Sequence, residues 1–201
     1  MKTKPPLLSL HAFVAGRENA FLANVVAPVL KRSDVDVDAF FFLRYWRGGP
    51  HLRLRFRAAP AACTALHELL MRQFDDWCAG VDSFDVPGNA EHAALASRFA
   101  ALEGVAADTA LVSCPALVEA AYEPESHKYG GECGLSIAEP VWRTSTAAIM
   151  SVASEALQGS GTRLALGMQM AVVAVRAFDL ERTGALDFFK AHASKVTHAR
   201  Q

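Results

Sequence analysis

The chain is short of the features that announce a common activity. No glycine-rich strand-to-helix turn offers a dinucleotide site, and no phosphate-binding loop lysine is present. The four cysteines, Cys63, Cys78, Cys114 and Cys133, form no CxxC pair and no Cys/His spacing suited to zinc. Scattered cysteines of this kind, behind an N-terminus that makes a poor signal peptide, point to reduced thiols and a cytoplasmic protein. No apolar run reaches membrane-spanning length; the longest, Leu164 to Phe178, is broken by Gln169 and Arg176. Net charge is −1, so no global basic field would draw nucleic acid or an anionic membrane. No metal and no cofactor are expected. There is no internal repeat.

What is present is an ordinary globular balance over 201 residues, with 52% hydrophobic and 20% charged residues, enough for one domain with a full core. Against that near-neutral background, Phe40 to Arg57 (FFFLRYWRGGPHLRLRFR) stands out. Arg44, Arg47, His51, Arg53, Arg55 and Arg57 fall within fourteen residues. Gly48-Gly49-Pro50 reads as the turn of a hairpin between a strand at Phe40–Trp46 and one at His51–Arg57. On the second strand, alternation puts Arg53, Arg55 and Arg57 on one face and Leu52, Leu54 and Phe56 on the other. Guanidinium groups so crowded need an anion, either the protein's own carboxylates or a carboxylate- or phosphate-bearing ligand. Arg44, inside an apolar strand, is drawn into the same reading.

Around this hairpin the spacing predicts an edge strand over Leu7–Ala15 and helices over Glu18–Leu30, Pro60–Trp77 and Ala90–Ala106. It also predicts a short strand over Val81–Val86, a long helix over Ala138–Leu157 with Pro140 in its first turn, and helices over Leu164–Phe178 and Leu186–His198. The segment YEPESHKYGGECG (Tyr122–Gly134) reads as a loop. It offers Tyr122, His127, Lys128 and Tyr129 as donors and Glu123 and Glu125 as acceptors. The expected class is α+β, an antiparallel sheet packed against several α-helices in a single domain, 1–201.

Two stretches together resemble a known family. The motifs RY…PHLRLRF and YEPE…YGG…AEPVWRTS, in that order, are similar to those of the lantibiotic-dehydratase C-terminal domain, also called the thiopeptide-type bacteriocin biosynthesis domain. The clear match runs from about Phe40 to Ser151. The resemblance implies maturation of a ribosomally made peptide. The activity would be elimination of glutamate from glutamylated Ser or Thr, or a formal [4+2] cycloaddition of two dehydroalanines that builds a pyridine-type ring. A third possibility is a non-catalytic peptide-binding partner of a split dehydratase.

It implies Arg53 and Arg55 as chemical residues, with His51 or His198 moving a proton. Arg44, Tyr45, Tyr122, Glu125, Lys128 and Tyr129 would bind substrate. Where many fused members carry arginines in the second motif, this chain has Pro124 and Lys128, which favours the stand-alone branch. The implied partners are the leader and core of a precursor peptide and a separate glutamyl-tRNA-dependent dehydratase subunit. A homodimer is expected, with no direct contact to nucleic acid or membrane.

Overall fold

A computed structural model describes residues 7–151 except 33, 35 and 125. The hairpin is as expected. Strands β2 (Ala39–Tyr45) and β3 (His51–Arg57) pair antiparallel with Phe42 opposite Leu54 and Tyr45 opposite His51. Gly48 and Gly49 have φ of 80° and 110°, backbone open to glycine and strained for other residues, and they close the turn.

Strand β1 (Leu7–Phe13) lies on the other side of β3, and β4 (Ala116–Glu119) adds to β1, so the order is β2-β3-β1-β4. The expected edge strand is therefore an interior one. Its six-residue register with β3 and its pairing with β4 leave neither side free. The alternation of LLSLHAF explains the fit. Leu8, Leu10 and Ala12 join Leu52, Leu54 and Phe56 on one buried face, while Ser9 and His11 join the arginines on the other. Burying such a row contributes about 1.5–3 kcal/mol per large side chain.

The leucine face is covered by α3 (Pro60–Cys78), which buries Leu66, Leu69, Leu70 and Phe74. Proline at its first position supplies a preset φ where no N–H is needed. The earlier helical stretch runs continuously as α1 (Glu18–Phe21), a π-helical turn (Leu22–Val26) and α2 (Ala27–Leu30). It meets α3 through Phe21, whose ring lies 5.9 Å from Phe74 and 5.5 Å from Trp77.

Residues Val81–Val86 form no strand. They are a strap tied to the turn after β1, with Asp85 donating to the Ala15 carbonyl at 2.9 Å and Arg17 to that of Ser83 at 3.1 Å. Both flanks of β1 are already taken by β3 and β4. Helix α4 (Asn89–Glu103) buries His92, Ala96 and Ala100, the two alanines against Trp46.

Helix α5 (Gly131–Ser151) begins earlier than its sequence pattern suggested and carries Pro140 in its interior rather than its first turn. Gly130 and Gly131, with φ of 77° and 83°, end the preceding 3-10 turn (Ser126–Tyr129) and launch the helix. Trp142 of α5 packs 5.5 Å from Phe41, placing α5 on the arginine face beside β2. At the open edge of the sheet the Phe42 N–H donates to Thr146 Oγ1 at 3.3 Å, so the helix also caps the edge strand. The expected α+β architecture holds. The described residues fall in one unit, Met1–Ser154. The helices expected at Leu164–Phe178 and Leu186–His198 lie outside the described residues.

Candidate functional site

The three β3 arginines share a face and differ in employment. Arg57 donates to both oxygens of Glu139 on α5, at 2.8 and 3.0 Å, and the pair is almost shut off from solvent. Tyr122 donates to the same carboxylate at 3.0 Å. Burial, then the bond to Glu139, pushes the Tyr122 hydroxyl up to about 12, so it keeps its proton. Arg57 is thus a tie between sheet and helix.

Arg53 and Arg55 face a cleft instead. The Arg53 guanidinium lies 3.4 Å above the Tyr45 ring, and that of Arg55 lies 5.5 Å from the Tyr122 ring. Arg55 is 3% exposed. It donates to the Leu54 carbonyl at 3.0 Å and sits 3.2 Å from His11 Nε2. A guanidinium only donates, so that imidazole nitrogen accepts.

Two adjoining hollows share Arg53, Arg55 and Glu123. One is a pinch of about 20 Å³, walled by Phe41, Tyr122, Tyr129 and Trp142. The other, of about 220 Å³, is walled by His11, Arg47, Ala120 and Ala121. The first holds about one water and the second about seven, or a small organic acid in their place. Support for the Arg53 wall comes from α4. Its Glu103 accepts from Trp46 Nε1 at 3.2 Å and from the Tyr45 hydroxyl at 3.4 Å, fixing the ring on which Arg53 rests.

His11 and His51 are held neutral at physiological pH. Burial, followed by the charges of His51, Arg55 and Arg53, lowers His11 to about 3. Burial also lowers His51 to about 4, against a partly offsetting bond to the Gly49 carbonyl. That carbonyl, 2.9 Å from Nδ1, sets the tautomer: Nδ1 carries the hydrogen, and Nε2 has no hydrogen-bond partner among the described residues. His51 is 3% exposed and packs 4.9 Å from the His11 ring and 4.4 Å from Phe13.

The structure thus brings Arg53, Arg55, Tyr45, Tyr122 and Tyr129 together. It does not bring Arg44 to them. Arg44 opposes Leu52 on the other face, is exposed, and bonds to Asn19 with Glu18 at 3.9 Å. His51 borders neither hollow. Glu125, the Lys128 side chain and His198 lie outside the described residues. Sequence reasoning passed over His11, Glu139 and Trp142. The signal for His11 was its place in LLSLHAF, where Ser9 and His11 are the polar members of an alternating strand. Among the described residues no group of His, Cys, Asp or Glu could hold a metal ion, and no helix is long and apolar enough to cross a membrane.

The chain is thus an α+β domain in which Arg53 and Arg55 line a small aromatic-walled cleft. The particular family is shown by the sequence: over residues 8–201 the chain matches the family described as "Lantibiotic biosynthesis dehydratase C-term", and it belongs to that family.

Solved structures similar to the chain include the following three. The pyridine synthase TbtD from thiomuracin biosynthesis is 17% identical, with a TM-score of 0.62 over 77% of this chain and 49% of its own. TsrL is 24% identical, with a TM-score of 0.51 over 92% of this chain and 46% of its own. The tRNA-dependent lantibiotic dehydratase MibB from Microbispora sp. 107891 is 22% identical, with a TM-score of 0.48 over 77% of this chain and 12% of its own. The chain therefore spans less than half the length of each. No curated protein matches the chain.

Proposed function

We propose that the cleft binds the glutamyl group of a glutamylated precursor peptide and that the chain eliminates glutamate from Ser or Thr esters to leave dehydroamino acids. The observation that carries this is the convergence of Arg53 and Arg55 on one cleft walled by Tyr122, Tyr129 and Trp142. In the elimination, the peptide α-proton passes to solvent water, the Cα–H electrons form the Cα=Cβ bond, and the Cβ–O bond breaks to release glutamate as a carboxylate. Guanidinium groups bind a carboxylate bidentately, so Arg53 and Arg55 would hold the group as its charge develops. Their aromatic shelves restrict the guanidiniums in advance. His51, buried and outside the hollows, is poorly placed to take the α-proton.

The reaction needs a precursor peptide and a separate glutamyl-transferring subunit to supply the ester. The test is incubation of the full chain with a glutamylated Ser-containing peptide. Release of free glutamate with formation of dehydroalanine supports the reading. Cyclisation of a peptide already carrying two dehydroalanines, with no glutamate release from the ester, would replace elimination by ring formation. Peptide binding with neither reaction would leave a partner of a split enzyme.

A further inference from the structure

His11 belongs to neither motif, yet its ring is held from two directions. Its Nε2 is 3.2 Å from Arg55 Nη2, and its face packs 4.9 Å from His51, which is itself anchored to the Gly49 carbonyl. It also borders the larger hollow. The contact with Arg55 requires a lone pair on Nε2, so it exists only while His11 is neutral. Protonation would set N–H against N–H and place a further cation beside the guanidinium.

The charged and titratable groups around the ring are His51, Arg53 and Arg55 from β3, Arg47 from the hairpin turn and Glu123 beyond β4. Burial first, then His51 and the two arginines, keep a proton off His11, so the ring stays an acceptor for Arg55.

We propose that His11 is a positioning residue of the cleft: neutral, it accepts from Arg55 and holds the guanidinium where a carboxylate in the hollow can meet it. This rests on the reading of the cleft as a carboxylate site.

The test uses the full chain with free glutamate as probe, in calorimetry at neutral pH. His11→Gln, whose amide oxygen can accept from Arg55, should bind within about threefold of wild type. His11→Leu, with no acceptor, should bind at least about tenfold more weakly. Wild-type affinity in His11→Leu overturns the proposal, as does an equal loss in His11→Gln and His11→Leu.

A second measurement needs no ligand. In a histidine-ring NMR titration of the free protein, Arg55→Gln should move the His11 midpoint up by about a unit or more; an unchanged midpoint overturns the pairing. If glutamate fails to bind wild type while that midpoint moves, the carboxylate reading of the cleft fails and the His11–Arg55 pairing stands.

Discussion

Glu139 on α5 and Arg57 on β3, 82 residues apart in sequence, form a carboxylate–guanidinium pair in which one Nη2 reaches both oxygens, at 2.8 and 3.0 Å. Their side chains are 9% and 12% exposed, so each would be a nearly buried charge without the other. Removing one partner from such a pair costs on the order of 3–5 kcal/mol, whereas replacing both by apolar residues is close to neutral. Glu139→Leu should therefore lower the urea midpoint markedly, and Glu139→Leu combined with Arg57→Met should recover most of the loss. A double-mutant cycle by urea denaturation checks this. Purely additive effects would show that the pair contributes nothing as a pair.

Arg53→Lys and Arg55→Lys keep charge and lose the fork. Charge-assisted hydrogen bonds are worth roughly 1.5–3 kcal/mol, so each substitution should weaken carboxylate binding by about ten- to a hundredfold. The melting temperature of Arg53→Lys should change by only a few degrees. Arg57→Lys should show the opposite pattern, with stability lost and binding largely kept in the fraction that folds. Isothermal titration beside thermal melts separates the two. Should Arg53→Lys unfold the protein without a specific loss of binding, the arginine is a structural residue.

The buried imidazoles make stability depend on pH. His51 protonates near 4 in the folded state and near 6.5 when unfolded, and His11 near 3 and 6.5. Above 6.5 neither state binds these protons and the stabilisation is complete. As pH falls below 6.5 the unfolded chain takes up protons that the folded chain refuses, and stability drops until the folded imidazoles protonate. His51 contributes a slope of at most about 1.4 kcal/mol per pH unit in that window. The share from His11 is smaller, because its ring borders an open hollow. Urea midpoints across this range should fall with pH, and His51→Gln should fall less steeply. Equal slopes would place the titrating groups elsewhere.

Gly134 lies in the first turn of α5 against the 3-10 turn before it, where an added Cβ would run into the Tyr129 carbonyl. Backbone cannot step aside as a flexible side chain would. Gly134→Ala should therefore displace the turn that carries Tyr129 on the cleft wall. The expected result is a loss of about 1–3 kcal/mol in stability with weaker glutamate binding in the surviving fold. Thermal melts and titration at low temperature read both effects. Wild-type values in both would mean that the turn shifts at no cost.

Much of the central sheet was legible because its signals are local. RLRFR alternates with period two, and Gly48-Gly49 permits the backbone that closes a hairpin, so β2, β3 and the shared face of Arg53, Arg55 and Arg57 follow from neighbours in the chain. Less legible was whatever depended on a distant partner. Leu7–Phe13 shows the same alternation as an interior or an edge strand, and the arrival of Ala116–Glu119 on its free side settles which. Val81–Val86 has strand-forming residues but finds both flanks of β1 occupied. The start of α5 was hidden by glycines that read as loop, although Gly131 opens the helix.

The same division runs through the site. His51 drew notice because it adjoins the arginine motif, yet it is buried under the ring stack, while His11, more than forty positions from Arg55, reaches the guanidinium across the sheet. Residue order placed three arginines on one strand face, because side-chain direction along a strand is a property of the backbone. It left open what each of them would meet. In the folded chain α5 delivers Glu139 to Arg57, and Arg53 and Arg55 line the cleft beside Tyr45 and Tyr122. A strand's period is set residue by residue, whereas the choice of partner for a buried charge depends on which distant carboxylate the packed chain brings within about 3 Å.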